Sequence, residues 1–272
     1  MKTEWYGSGM VEWGVRRQHT MKLIWHGTAA IEAACSGGTL LFDPFVPWKG
    51  STVDVHIEEF DGFPDIFITH GHFDHISSLP VIVQRNPDVR IHCTETPYRT
   101  LQKKGIPQRN LVLIRFGDTI RINGFTVHVH HGKHAILPWT DYKRLLTTLK
   151  SPLRRNLPGM LREHRFCKEN EETVFYHLEA DGKTVSIMGS LNLRSDTSYP
   201  QHADLLVLPY NGWQDNLPPA VEIIERLQPD RIVLDHYDDS FPPMTQPLDL
   251  TPVLQRYGER IEAMALRKEI LV

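Results

Sequence analysis

The fold of this chain is decided by Thr69-His70-Gly71-His72-Phe73-Asp74-His75, which carries three imidazoles and one carboxylate in its last six positions. The apolar run at residues 66–68 directly precedes it, which predicts that the stretch stands at the end of a buried strand. Imidazole and carboxylate are ligand types that suit zinc, manganese or iron. Packing does not explain a fully polar cluster at a buried strand end. We therefore interpret the stretch as a metal-binding loop rather than a solvated turn.

The spacing within this stretch predicts two ligand positions. Side chains two residues apart in an extended segment share a face, so His70 and His72 can hold one ion together. Where the chain turns after them, Asp74 and His75 can point to a second position beside the first. The sequence therefore predicts room for one or two divalent ions.

Length and composition limit the classes of protein to consider. The 272 residues allow one large domain or two small ones, at about 150 residues per domain. The formal net charge of −3 argues against extended nucleic-acid binding. No apolar run approaches the roughly 20 residues of a membrane span, and the first residues lack the apolar core of a secretory signal. Three widely spaced cysteines favour reduced thiols in a cytoplasmic protein.

Strand and turn patterns begin at Met21, so we interpret residues 1–20 as an N-terminal extension and 21–272 as the folded domain. Strands are predicted at residues 22–25, 29–34, 39–42, 65–69, 89–93, 111–114, 119–122, 125–130, 173–179, 184–188, 205–208, 231–234 and 263–266. Helices are predicted at residues 77–85, 97–104, 218–227 and 250–258. Strand-rich halves with helices between them predict two sheets packed face to face with helices outside.

Residues 136–172 differ in composition from the two halves that they separate. Between Lys143 and Lys168 there are eight Lys or Arg residues and a single acidic residue, Glu163. The spacing of leucine and methionine predicts short amphipathic helices that Pro152 and Pro158 interrupt. We interpret the segment as an inserted basic lid, and a solvated basic surface is the alternative.

Further histidines follow apolar strands elsewhere in the chain. His131 and His134 fall in a loop after the strand at 125–130, and Lys133 lies between them. His236 follows the strand at 231–234. Metal sites collect ligands from several strand ends, so these histidines are candidates to complete the two positions.

The signature His70-x-His72-x-Asp74-His75, a later loop histidine and a strand-end histidine together resemble the metallo-β-lactamase fold superfamily. Three more stretches are similar to its branch of metal-dependent hydrolases related to L-ascorbate 6-phosphate lactonase: residues 40–44, 203–209 and 235–238. The resemblance spans residues 21–245 and is interrupted by the insertion. It implies an α/β (α+β) fold, a four-layer αβ/βα sandwich.

The resemblance also implies two ligand sets when it is carried over position by position. One ion would be held by His70, His72 and His134, and a second by Asp74, His75 and His236. His134 is preferred to His131 because its distance from the strand matches the family pattern, and His131 stays a competitor. The implied ions are zinc, with manganese or iron as alternatives.

Ser190 is the main departure from the family pattern. The family usually has an aspartate after the glycine at position 189, and that carboxylate bridges both ions. A neutral hydroxyl replaces it poorly, so both sites should be weaker, and occupancy by a single ion stays open. Asn192 and Asp196 are close in sequence, but neither matches the pattern. A second departure is His26, which precedes Gly27, whereas the family often has a histidine after the glycine. We assign no role to His26.

The implied function is hydrolysis of an ester, lactone or phosphoester bond in a small anionic substrate. A metal-bound hydroxide would attack, Asp74 would orient the water or accept its proton, and the Ser190 hydroxyl would hydrogen-bond the nucleophile. Lys133 and the arginines of the insertion are candidates to bind the anionic group. The alternatives are a phosphodiesterase or nuclease of the same fold and a degenerate, non-catalytic ligand-binding protein. Assembly into a homo-oligomer stays open.

Overall fold

Two seven-stranded sheets make up the described part of the chain in a computed structural model. The structure describes residues 20–135, 151–211, 215–245 and 247–272. Nearly all of the predicted N-terminal extension, and residues 136–150 of the predicted insertion, therefore lie outside the described residues.

The first sheet joins an antiparallel half to a parallel half. In spatial order its strands are β14 (Glu269–Leu271), β1 (Lys22–Trp25), β2 (Ile31–Cys35), β3 (Gly38–Phe42), β4 (Asp65–Phe67), β5 (Arg90–Cys93) and β6 (Leu111–Leu113). The pairs from β14 to β3 are antiparallel, and those from β3 to β6 are parallel. The histidine-rich stretch follows β4, so it lies at the carboxyl edge of the parallel half.

The second sheet has the same construction. In spatial order its strands are β13 (Ile261–Ala263), β12 (Arg231–Asp235), β11 (Leu205–Pro209), β10 (Lys183–Met188), β9 (Val174–Ala180), β8 (Phe125–His131) and β7 (Thr119–Ile122). The pairs from β7 to β10 are antiparallel, and those from β10 to β13 are parallel. His236 directly follows β12 and His134 follows β8, so both candidates stand at strand ends.

The central core lies between the two sheets. Alternation along β8 buries Phe125, Val127 and Val129 on the inner face, as period-two patterning requires. The rings of Phe42 on β3 and Tyr176 on β9 are 5.5 Å apart across the interface. Burial of side chains of this size stabilises the fold by roughly 1.5–3 kcal/mol each.

One buried hydrogen bond links this core to the candidate site. The Tyr176 hydroxyl donates to the Ile68 carbonyl oxygen at 2.7 Å. Ile68 stands between the end of β4 and the histidine-rich stretch, so the second sheet holds the start of the metal-binding loop in place.

Helices cover the outer faces of both sheets. Among the described residues they are α1 (Phe73–Ile76), α2 (Leu79–Arg85), α3 (Glu95–Lys103), α4 (Leu157–Phe166), α5 (Leu217–Leu227) and α6 (Thr251–Tyr257). Helices α2 and α3 bury their apolar faces against the outer face of the first sheet, and α5 and α6 do so against the second. The predicted four-layer sandwich with helices outside is confirmed. No helix in the described ranges has the length and apolarity to cross a membrane.

Two details of the predicted elements were wrong. The predicted strand at residues 263–266 is instead β13, which ends at Ala263, and β14 was not predicted. The short helices predicted around Pro152 and Pro158 are present in the described residues. Each proline stands in the first turn of one, the 3₁₀-helix Pro152–Asn156 and α4 respectively. Proline suits that position because the first turn needs no N–H donor.

A candidate metal centre at the strand ends

The described parts of the chain contain two clusters of metal-ligating side chains, each with its ligand atoms within 4.8 Å of one another. The first is His70, His72 and His134, and the second is Asp74, His75 and His236. These are the two sets that the sequence resemblance implied. The segment after β4, which runs into α1, provides four of the six residues, and the loops after β8 and β12 provide one each.

The three histidines of the first set converge edge to face. The ring centroids of His70 and His72 are 4.8 Å apart, and those of His72 and His134 are 4.6 Å apart. The third pair, His70 and His134, is 5.0 Å apart. His70 Nε2 and His72 Nδ1 approach to 3.1 Å, so two ring nitrogens already face each other.

The second set combines one carboxylate with two imidazoles, all of them buried. Asp74 Oδ2 is 3.3 Å from His236 Nε2 and 3.8 Å from His75 Nε2. The two sets are adjacent, because the ring centroids of His70 and His75 are only 3.9 Å apart.

Burial keeps the imidazoles of the first set neutral. It lowers the pKa of His70 well below the usual value, and the neighbouring His75 acts in the same direction. Burial and the adjacent His134 lower the pKa of His72 to about 3, and burial also lowers the pKa of His134. Neutral imidazole is the form that binds a metal ion, so this donor set fits a divalent cation at neutral pH.

The second set contains a charged pair. Burial opposes ionisation of Asp74, but His75 and His236 outweigh it and hold the pKa of this carboxyl well below its usual range. Burial also opposes protonation of His236, yet Asp74 and nearby acids raise its pKa to about 9. His236 Nε2 nevertheless makes no hydrogen bond of good geometry despite its 3.3 Å approach to Asp74. A buried ring nitrogen without a partner beside a carboxylate is the arrangement that a cation would complete.

Asp43 orients a histidine in each set, a role that the sequence reasoning missed. Its Oδ2 lies 2.9 Å from His75 Nδ1 and accepts a hydrogen bond from the Thr69 hydroxyl at 2.6 Å. The same Thr69 oxygen is 3.1 Å from His70 Nδ1, which leaves His70 Nε2 facing the site. Outer carboxylates of this kind fix the tautomer of metal-binding histidines. Asp43 belongs to the stretch at residues 40–44 that resembles the family, so the sequence marked this position. Nothing in the sequence indicated that Asp43 contacts Thr69 and His75.

The contacts of His131 and His134 show which of the two histidines belongs to the first set. His134 Nδ1 donates to the Ala135 carbonyl at 2.8 Å, which leaves Nε2 directed towards His70 and His72. His131 points elsewhere. Its Nε2 lies 2.7 Å from the Glu171 carbonyl, and its ring stacks on Phe116. The structure therefore brings His134 into the first set and leaves His131 outside it.

The remaining sequence candidates belong to neither ligand set. Ser190 is buried, and its Oγ accepts a hydrogen bond from the Ala135 N–H at 3.0 Å. Asp196 instead pairs with Arg194 at 2.7 Å on the surface. His26 lies between Glu32 and Glu59, away from both ligand sets. Lys133 is exposed.

The described part of the insertion packs firmly against the metal-binding loop. A Cβ on Gly71 would be 2.1 Å from the Lys168 carbonyl oxygen, so the two backbones touch. Lys104 Nζ and Glu163 form an ion pair at 2.5 Å, which attaches α4 to the chain after α3. These contacts make residues 151–172 a wall beside the loop.

This wall brings one more histidine to the site, which the sequence reasoning missed. The ring of His164 on α4 lies 5.9 Å from that of His72. His164 and Leu161 are one helical turn apart on α4, and both are exposed. His164 had no strand before it and no neighbouring histidine, so sequence spacing carried no signal for it.

Comparisons with known proteins agree with this geometry. A family model described as a beta-lactamase superfamily domain matches residues 39–237. A protein of Ligilactobacillus salivarius described as a metal-dependent hydrolase is 28% identical over 83% of this chain and 89% of its own length. One of the same description from Chloroflexus aurantiacus is 32% identical, but the match spans only 39% of this chain and 43% of that protein. The solved structure of a metallo hydrolase from Ignicoccus hospitalis aligns with a TM-score of 0.61 at 16% identity, over 93% of this chain and 98% of that one.

Proposed function

This chain belongs to the β-lactamase superfamily and is a metal-dependent hydrolase of the metallo-β-lactamase fold, and from this premise we propose that it cleaves an ester, lactone or phosphoester bond in a small anionic substrate. The observation that carries the proposal is the pair of adjacent ligand sets, three neutral imidazoles beside a carboxylate with two imidazoles. The description of the Ligilactobacillus salivarius relative as a metal-dependent hydrolase supports the same reaction class.

The proposed ligands are the six residues of the two sets, with zinc as the expected ion and manganese or iron as alternatives. A bound divalent ion supplies a water whose pKa falls from 15.7 to about 7, and it polarises the bond to be cleaved. His70, His72 and His134 would bind through neutral ring nitrogens. Asp74 would bring the only negative charge among the six.

Within the second set, the chain's own residues hold the charge that hydrolysis needs. Asp74 stays ionised at neutral pH, and its carboxylate is oriented between His75 and His236. In this proposal Asp74 also orients the attacking water or accepts its proton. Asp43 keeps the proton of His75 on Nδ1, so that Nε2 stays free to bind.

The wall formed by the insertion supports an anionic substrate. Arg154, Arg155, Arg162 and Arg165 are all exposed on it. Guanidinium groups bind carboxylates and phosphates in bidentate fashion, so these four arginines favour a small anion approaching from their side. We propose that His164, whose ring lies 5.9 Å from that of His72, contacts the substrate directly.

The test is metal analysis of the purified protein together with a substrate panel. The panel contains an aryl ester, a γ-lactone and an aryl phosphodiester, each offered to the native protein and to His70→Ala and His236→Ala. We expect at least one substrate to be cleaved by the native protein, and both variants to lose metal and activity. His131→Ala is the matched control, because it removes a nearby histidine that lies outside both sets, and it should keep both properties.

Each other outcome counts against part of the proposal. If metal content and activity survive both ligand variants, the assignment of the two sets is wrong. If the native protein binds metal but cleaves nothing in the panel, the bond classes proposed here are wrong. Cleavage of RNA or DNA that salt suppresses would move the assignment to a nuclease of the same fold.

A further inference from the structure

The peptide bond between His134 and Ala135 is held at both of its polar groups by one short turn. The Ala135 N–H donates to Ser190 Oγ at 3.0 Å, and Asn192 Nδ2 donates to the His134 carbonyl oxygen at 3.2 Å. The carbonyl of residue 134 and the N–H of residue 135 belong to the same planar unit. Two side chains therefore fix the orientation of a single peptide plane.

The turn that provides these side chains is itself well ordered by hydrogen bonds. The Asn192 N–H donates to the Ser190 carbonyl at 2.8 Å, and the Leu193 N–H donates to Asn192 Oδ1 at 2.9 Å. Ser190 and Leu191 are both buried. Because Asn192 Oδ1 is occupied in this way, the assignment of its NH₂ group to the His134 carbonyl is the one that satisfies both atoms.

The held peptide in turn determines where the His134 ring points. His134 Nδ1 donates to the Ala135 carbonyl at 2.8 Å, so a rotation of this segment would carry the ring with it. In the observed orientation the ring lies 4.6 Å from that of His72. The held peptide thus sets the position of His134, and the carbonyl of the next residue, Ala135, sets its tautomer.

We propose that Ser190 and Asn192 are positioning residues that hold His134 in its ligand geometry. Residue 190 then serves the metal centre through the backbone and not as a ligand. The chemistry suits this role, because the peptide N–H needs an acceptor and the peptide C=O needs a donor. A hydroxyl and a carboxamide provide one of each. This inference rests on the ligand role proposed above for His134.

The test measures metal affinity rather than turnover. Zinc is removed by competition with a chromophoric chelator, and Co²⁺ absorption reports the ligand number for native protein, Ser190→Ala, Asn192→Ala and His134→Ala. His134→Ala should lose one bound equivalent or weaken it strongly. Ser190→Ala and Asn192→Ala should weaken that same equivalent roughly ten- to hundredfold, as loss of outer-shell support does elsewhere. Adding Asn192→Ala to His134→Ala should produce no further loss, because both changes act through one ring.

Asn86→Ala is the matched control for a merely structural effect. The Asn86 amide donates to the Phe63 carbonyl at 3.0 Å, a bond of the same type in a region away from both ligand sets. It should lower thermal stability without changing either metal affinity. If an alanine at position 192 prevents folding, Asn192→Asp replaces it, since this variant keeps the shape and removes the donor.

The outcomes separate failure of this inference from failure of the proposed function. If His134→Ala keeps every equivalent, the ligand assignment is wrong and the positioning role falls with it. If His134→Ala loses an equivalent while Asn192→Ala and Ser190→Ala bind it as tightly as Asn86→Ala does, only the positioning role is overturned. Fully additive losses in the double variant would overturn it as well.

Discussion

Replacement of Asp43 by asparagine should lower the affinity of the metal centre for its ions. Asp43 belongs to neither ligand set, but its carboxylate orients one histidine in each. Asp43 has a backbone φ of +44°, a conformation that asparagine tolerates, so the substitution changes chemistry rather than shape. The amide can still accept from the Thr69 N–H, which is 2.8 Å from Oδ1. Its NH₂ group would then face the Thr69 hydroxyl and His75 Nδ1, both of which now meet Oδ2.

The size of the expected loss of stability and metal affinity follows from the contacts of Asp43 Oδ2. One buried hydrogen bond to a charged acceptor is lost and a ring N–H is left without a partner, which should lower the free energy of unfolding by about 2–3 kcal/mol. His75 and, through Thr69, His70 lose the contact that fixes their tautomers. Metal affinity should therefore fall roughly ten- to hundredfold at each set. Urea denaturation of the metal-free protein measures the first quantity, and chelator competition measures the second.

Asp65→Asn provides the control, because Asp65 is also fully buried and pairs with a histidine. Its Oδ1 lies 2.8 Å from His92 Nε2, away from the ligand sets. This variant should lose stability but keep native metal affinity. If Asp43→Asn is destabilised to a similar extent and still binds both equivalents as the native protein does, Asp43 does not support the ligand histidines.

Three further results are expected. Gly71→Ala should destabilise the protein by about 1–3 kcal/mol, because its Cβ would meet the Lys168 carbonyl at 2.1 Å, and melting at the native temperature would contradict this. The Arg267 guanidinium lowers the pKa of Glu59 to about 2, so this carboxylate stabilises the fold above its unfolded pKa and the effect disappears as pH falls from 4.5 towards 2. Glu59→Gln should remove about 1 kcal/mol at pH 7, a modest value because the pair is partly exposed, and an unchanged pH–stability profile would refute the assignment. His164→Ala should raise KM roughly tenfold with a smaller change in kcat, equivalent to about 1.4 kcal/mol of substrate binding, whereas a loss confined to kcat would contradict a substrate contact.

The sandwich and the histidine-rich stretch could be predicted from sequence because each depends on local pattern, whereas the division into two ligand sets and the choice of His134 came from the family resemblance. Period-two burial along β8 follows from side-chain alternation alone, and the histidine-rich stretch after β4 is one uninterrupted segment. His236 was identified because it directly follows a strand whose end had already been predicted. Such features need only the order of residues along the chain.

The supporting contacts could not be predicted because their partners are distant in sequence. Asp43 acts on Thr69 across 26 residues, and Ser190 acts on Ala135 across 55. The absence of an aspartate at position 190 was visible in the sequence. What the serine binds instead depends on how the loop after β8 lies against the turn after β10. His164 was missed for the same reason, since its approach to His72 depends on how the segment that ends in Lys168 packs against Gly71.

Asp43 and Asn192 differ in how many ligands depend on them, and this difference is measurable. Asp43 contacts His75 at 2.9 Å and reaches His70 through the Thr69 hydroxyl, so a ligand in each set relies on one carboxylate. Among the six ligand residues, Asn192 hydrogen-bonds to His134 alone, through its carbonyl oxygen, and His134 belongs to the first set. Loss of the Asp43 charge should therefore weaken both equivalents together, whereas loss of the Asn192 amide should weaken one. If the two variants give the same pattern of loss, the two sets do not respond separately, and the description of the centre as two adjacent sites with distinct supports is wrong.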